Sequence, residues 1–241
     1  FSLYCFYCSF GILIKKTIEN RDKLIKKAYD LIDKGVLVHD PHRLDIRGTL
    51  ECGNRVEIDI NVVIEGEVIL EDGVKIGAGS ILKNCIVGKD TRINPFSVVE
   101  EAFIGKSSFI GPYGRIRPGT KIGDLVQIGN FVEIKNSTIG SKSRINHHSF
   151  IGDAFLEENI TIGAGCITCN HDGDKINKTT IKQGVYIGSG CNLVAPLNIN
   201  KNATIGAGST ITEDIEEGGL TIARSRQSVV KNWKKPRCNN D

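Results

Sequence analysis

Residues 121–165 read KIGDLVQIGNFVEIKNSTIGSKSRINHHSFIGDAFLEENITIGAG, punctuated by aliphatic-glycine dyads at Ile122-Gly123, Ile128-Gly129, Ile151-Gly152 and Ile162-Gly163. The dyads continue outward, through Ile76-Gly77, Val87-Gly88, Ile104-Gly105 and Ile110-Gly111 on one side and Ile187-Gly188 and Ile205-Gly206 on the other. Their spacing is six residues or near a multiple of six, with one-residue slips. That period fits neither a helical face nor strand alternation, and strands of a β-sandwich recur every ~8–12 residues. A sustained hexad is the repeat of a parallel β-helix. Each hexad supplies a short strand with its aliphatic side chain inward and then a tight bend where glycine is favoured. A small residue often follows four places on, as Ser80 follows Ile76 and Cys166 follows Ile162. Three hexads close one triangular coil, which cannot bury its own apolar face, so coils must stack into a continuous column. The expected fold class is all-β: a single-stranded left-handed parallel β-helix with an N-terminal linker helix and an irregular basic C-terminal tail.

The frame also sets the expected boundaries. The β-helix is expected over residues 48–215, broken at CNHDGDKINKTT (169–180) and resumed at Ile181, Ile187, Leu193, Ile199, Ile205 and Ile211. An insertion that interrupts a solenoid without ending it must be extruded, and loops on rigid scaffolds concentrate function; 169–180 is the first site candidate. Residues 15–47 form a linker with an amphipathic helix at 17–34, where Leu24, Ala28 and Leu31 make a stripe widened by Ile25 and Ile32, and Gly35 suits its end. His39 and His42 bracket Asp40-Pro41, a turn signal; without a third partner they read as turn residues rather than metal ligands. Residues 1–14, FSLYCFYCSFGILI, are too short to span a bilayer and lack a basic signal-peptide n-region. With no Met in the chain, they are expected to be a truncated or aberrant N-terminus. Residues 216–241 are a tail carrying Arg224, Arg226, Lys231, Lys234, Lys235 and Arg237. It reads as a solvated tail or as a basic cover for a phosphate-bearing ligand, with Trp233 anchoring it on the prism.

Composition narrows the function classes. The 31 basic and 28 acidic side chains leave a formal charge of +3, too small to argue for nucleic acid. Eight cysteines at irregular spacings do not suggest a disulfide framework. Cys85, Cys166 and Cys191 occupy small-residue positions of the hexads and read as reduced packing residues, which implies a cytoplasmic protein. The spacing of Cys166 and Cys169 would suit zinc, but no second cysteine pair lies suitably near.

Four segments then carry a specific resemblance: GPYGRIRPGT (111–120), IGNFVEIKNSTIG (128–140), INHHSFIGDA (145–154) and NITIGAGCITCNHDG (159–173). Together they resemble the acetyltransferase half of the bacterial bifunctional N-acetylglucosamine-1-phosphate uridyltransferase/glucosamine-1-phosphate acetyltransferase family. The likeness runs from about residue 18 to 236, through HDPHRLDIRGTL, VYIGSGCNLVAP and the terminal KNWKKP. That family's nucleotidyl-transfer half, with its Gly-rich loop ending in Thr-Arg-Met, has no counterpart in this sequence. The resemblance therefore implies acetyl transfer alone, from acetyl-CoA to glucosamine 1-phosphate with no metal required, and no uridyltransferase activity.

Carried over by position, the resemblance makes His147 the general base, with His148 as the fallback. Imidazole titrates near neutrality and so suits removal of a proton from an amine. Arg117 and Lys135 match sugar-phosphate contacts, with Arg115 a competitor; a dianion calls for a guanidinium fork and an ammonium. Asn170 matches a residue that positions substrate and cofactor across a subunit boundary. Ala164, Ser189, Ala207 and Arg224 match acetyl-CoA contacts. Three positions depart from the family pattern: Phe150 replaces a Tyr and Thr161 an Asn, both at sugar-phosphate contacts, and His171 replaces a Tyr beside the loop Asn. The loss of a hydroxyl and an amide predicts weaker binding of the amino sugar phosphate or a shifted acceptor. The resemblance further implies a homotrimer with sites between chains, small-molecule substrates, and no nucleic-acid or membrane partner. Three other readings stay open: another hexapeptide-repeat sugar acetyltransferase, a carbonic anhydrase-like zinc site using His147, His148 and His171, and a non-catalytic remnant.

Overall fold

The computed structural model describes residues 20–231 and 233. The chain winds into a three-sided parallel β-helix. One face is a sheet of eleven strands, from Leu37–Val38 at one end to Leu220–Thr221 at the other, each paired with the strand one coil away. The other two faces form a continuous 17-stranded sheet, because early strands such as Val62–Leu70 bend across an edge and serve both. We number the faces in the order in which the chain visits them within a coil: face 1 carries Ile128, face 2 carries Ile134 and face 3 carries Ile139.

The hexad aliphatics become columns of identical residues in parallel register. On face 1, Ile58, Ile76, Ile93, Ile110, Ile128, Ile145, Ile162, Ile187 and Ile205 stack in direct succession. None of them is more than 3% exposed. Each full burial contributes about 1.5–3 kcal/mol, so the column is a large source of cohesion between coils. Within it, seventeen- and eighteen-residue coils are mixed: Ile110 pairs with Ile128, but Ile128 pairs with Ile145. The short coils lose their residue at the edge between faces 2 and 3, as between Ile134 and Ile139, where Asn84, Glu101, Asn136 and Asp153 adopt φ of 46°, 44°, 46° and 51°. Asn and Asp tolerate this left-handed region better than most residues, which is why they predominate at the tight edge. These are the one-residue slips of the sequence frame.

The small residues four places after the aliphatics sit inside the edges. Ser108 Oγ donates to the Gly123 carbonyl at 3.0 Å and accepts from Val126 N at 3.0 Å. Cys166 Sγ donates to the Gly188 carbonyl in the equivalent place. Burial pushes the Cys85 thiol up to about 12 and the Cys166 thiol up to about 11. Both are therefore unreactive packing groups near neutrality, and Cys166 is absorbed by the core rather than turned to a metal.

The helix occupies residues 20–33; the expected first turn from 17 lies outside the described residues. Ala28 and Leu31 are buried in the common core, whereas Ile32 is 37% exposed, so the apolar stripe is narrower than its spacing suggests. Gly35 at φ 89°, with Val36 N bonded back to Leu31 O, ends the helix in the left-handed conformation that glycine supplies. Asp40 caps the turn at Pro41–Arg43 and is held below the usual carboxylate range chiefly by its hydrogen bond from Arg43. At the other end, Trp233 is 66% exposed, so the expected anchoring of the tail by this ring is not what the chain does. Cys5, Cys8, Lys234, Lys235 and Arg237 lie outside the described residues.

The extruded segment is shorter than the polar run. Cys169 ends a strand and Thr179–Ile181 form the next, so only residues 170–178 leave the coil. Register partners lie seventeen apart at Ile134 and Ile151 but twenty-five apart at Thr168 and Leu193, and the coil resumes unchanged above the loop. Its tip is organised by Asp172, which accepts from the amides of Asp174 and Lys175 and from Asn177; the backbone hydrogen bond from Lys175 leads in lowering its pKa to about 2.

Candidate active site

His147 ends the strand Arg144–His147 on face 1, and the chain then turns at His148, φ 44°, onto face 2. The His147 ring is exposed, and its Nδ1 lies 2.7 Å from Oδ1 of Asn130, the residue paired with it one coil below. An amide oxygen only accepts, so in the neutral ring Nδ1 carries the hydrogen and Nε2 the lone pair. The strand register thus fixes both the tautomer and the direction of the ring.

The column above His147 continues through three of the expected acetyl-CoA residues. Gly165 N donates to His147 O, Gly190 N to Ala164 O and Gly208 N to Ser189 O, so His147, Ala164, Ser189 and Ala207 follow one another along the edge. The residue after each shows an abrupt change of character. Below His147 the edge carries Phe96, Tyr113, Phe131 and His148, ring on ring with centroids 5.2, 5.1 and 4.9 Å apart. Above it come Gly165, Gly190 and Gly208, whose absent side chains leave a furrow along Ala164, Ser189 and Ala207, with Arg224 reaching the space over Gly208. An aromatic ridge therefore gives way to an open track at His147.

Around the edge, on face 2, Arg117 and Lys135 lie one coil apart in the same outward row. Each already has a carboxylate partner: Arg117 Nη1 donates to Glu133 at 2.7 Å, and Lys135 Nζ lies 3.9 Å from Asp153. Arg115, the competing arginine, is paired with Glu100 at 2.6 Å. Phe150 stands next to Glu133 in register, and its ring lies over Gly152, where it meets the amide of Asn170. Asn170 is the first residue of the extruded loop and donates to buried Asp153 at 2.5 Å.

Within one chain the candidates thus fall into two groups. His147, Ala164, Ser189 and Ala207 share an edge, with Arg224 at its upper end; Arg117, Lys135, Phe150 and Asn170 share face 2. Thr161 belongs to neither, since it lies on face 1 between Arg144 and Tyr186. His171 is on the loop, bridged to Ile176, with its Nδ1 accepting from Gly173 N. His148 is stacked on Phe131, and within one chain no three metal-ligating side chains gather among the described residues, whereas the zinc reading brings its histidines together between subunits. Four residues escaped the sequence reading: Asn130, Glu133, Gly152 and Asp153. Asn130 and Asp153 each lie seventeen positions before the residue they hold, which is one short coil. The repeat length was the signal that could have found them.

The family described as GMPPB C-terminal domain matches residues 46–120. The bifunctional protein GlmU of Nitrosomonas europaea is 53% identical over 210 residues, 87% of this chain and 46% of that protein. Its counterpart in Aromatoleum aromaticum is 46% identical over 228 residues, 94% of this chain and 50% of its own length. The chain spans about half the length of the curated relatives it matches. Among solved structures, an Arabidopsis UDP-N-acetylglucosamine acyltransferase is similar at a TM-score of 0.49 and 16% identity, over 78% of this chain and 70% of that one. No helix among the described residues is long and apolar enough to cross a membrane. At 46–53% identity over most of its length, the chain is similar to the C-terminal half of the bifunctional GlmU proteins.

Proposed function

We propose that this chain transfers acetyl from acetyl-CoA to the amine of glucosamine 1-phosphate, yielding N-acetylglucosamine 1-phosphate for UDP-N-acetylglucosamine and cell-wall synthesis. The observation that carries the reading is the edge at His147: an exposed imidazole with Nδ1 held by Asn130, at the foot of a side-chain-free furrow. The sugar ammonium must first become an amine. As the nitrogen attacks the thioester carbonyl carbon, a C–N bond forms and the C–S bond breaks. His147 Nε2 accepts the proton that the nitrogen sheds, and the departing thiolate takes a proton in turn. The furrow flanked by Ala164, Ser189 and Ala207 receives the pantetheine arm, and Arg224 faces the cofactor phosphates.

Arg117 and Lys135 take the sugar phosphate. Glu133 and Asp153 hold the two cations in place beforehand, and a dianion approaching them competes with those carboxylates. Phe150 and Thr161 offer the acceptor fewer hydrogen bonds than a Tyr and an Asn would, which weakens acceptor binding. Asn170 and His171, on the loop, complete the site from a neighbouring chain: prism faces pack side by side in a homotrimer, which brings the face-2 group of one chain towards the His147 edge of another. No metal enters this chemistry, and no nucleic acid or membrane is among the partners.

A thiol-release assay with acetyl-CoA and a panel of amino sugars tests the reading. Turnover confined to glucosamine 1-phosphate supports it. Turnover on another acceptor moves the assignment to a different sugar acetyltransferase, and no turnover with any acceptor contradicts acetyl transfer by this chain.

A further inference from the structure

We propose that Asp153, seated beside Gly152, is the positioning residue that locks the extruded loop and Lys135 into one working geometry. The claim rests on the acetyl-transfer reading and adds a residue to it. The Asp153 side chain is only 3% exposed, yet it accepts from Asn136 Nδ2 at 2.6 Å and Asn170 Nδ2 at 2.5 Å and faces the Lys135 ammonium at 3.9 Å. A carboxylate withdrawn from water persists only where its lone pairs are met, and two amides with one ammonium meet them here. The tight edge itself does not demand an acid, because Asn84 and Asn136 occupy equivalent positions with nearly the same φ. What distinguishes Asp153 is the loop that departs directly above it.

Holding Asn170 holds the loop base. The Asn170 carbonyl accepts from Asn177 N at 2.7 Å, so both ends of the excursion are tied to the residue that Asp153 grips. Gly152 supplies a second, independent observation. A Cβ at this position would lie 2.6 Å from the Phe150 ring and 2.9 Å from Asn170 Nδ2. Glycine is needed here for space rather than for a left-handed backbone: any side chain would evict the two groups that meet there. Gly152 and Asp153 thus form a seat for the loop Asn, while the same carboxylate orients the Lys135 expected to take the phosphate.

Asp153→Asn tests this with little steric change, and Asn suits the left-handed backbone. The new NH2 replaces an acceptor, so one of the two amides loses its partner and Lys135 loses its counter-charge. The expected results are trypsin cleavage after Lys175 or Lys178 that is faster by about tenfold, with the melting temperature lowered by no more than about 5 °C, and an acceptor KM raised by about tenfold. An unchanged cleavage rate, or faster cleavage with an unaltered acceptor KM, overturns the proposal. Should Asp153→Asn fail to fold, Asn170→Ala breaks the same bond from the exposed side: faster cleavage supports the seat, and an unchanged rate overturns it. A wild-type chain without turnover counts against the functional reading alone, and the protease experiment then decides the loop claim by itself.

Discussion

At the scale of single residues, the edge of the prism does for His147 what a dedicated orienting group does elsewhere. Asn130 is placed by register one coil below and is neutral, so it fixes the tautomer without adding charge. Asn130→Asp would change that. A carboxylate on Nδ1 favours the imidazolium and raises its pKa, and a base must be neutral to work. The acid limb of the kcat/KM profile should therefore move up by about one pH unit; a limb that stays put would show that His147 does not titrate in the catalytic step. Phe150 is the corresponding test on the acceptor side. Phe150→Tyr returns a hydroxyl at the ring tip over Gly152, near Asn170, and should lower the acceptor KM by about two- to tenfold, the equivalent of one hydrogen bond; an unchanged KM removes the Phe150 account of weak binding. His147, Arg117, Lys135 and Phe150 were named as candidates because short segments around them resemble a known pattern. Asn130 and Asp153 were not, because each acts on a residue a full coil away and nothing local in the sequence marks it.

At the scale of elements, the hexads were legible and their edges only partly so. The period located the face-1 column from Ile58 to Ile205, and the structure places all of it inside. The one-residue slips carried their own meaning, the tight edge at Asn84, Glu101, Asn136 and Asp153, which a count of dyads alone does not reveal. The loop was visible as a break in period, but its limits were overdrawn: Thr179 and Thr180 look polar and turn-like, yet they pair with Ala154 and Phe155. Because each Ile touches its like above and below, cutting one back opens a cavity against two neighbouring coils. Ile128→Ala should cost about 2–5 kcal/mol, read by chemical denaturation; a cost under about 1 kcal/mol would mean that the column is not the close-packed support described here.

At the scale of the whole molecule, a stack of coils has contacts only between neighbours, so its rigidity is local and its surface is regular. That regularity explains how His147, Ala164, Ser189 and Ala207, far apart in sequence, share one edge, while Arg117 and Lys135 share one face. It also leaves the two groups on different parts of a single chain, which is the physical reason to expect a neighbour's contribution. Light scattering should report a particle of about three times the 26.3 kDa chain mass; an active, monodisperse monomer would sink the shared site. The account depends most on His147 as the base in acetyl transfer. Its most direct test is turnover of acetyl-CoA and glucosamine 1-phosphate by His147→Ala, with acetyl-CoA binding measured in parallel by calorimetry. The account predicts a kcat reduced by about 10²–10⁴-fold with cofactor affinity nearly intact, and a variant that turns over like the native protein would contradict it.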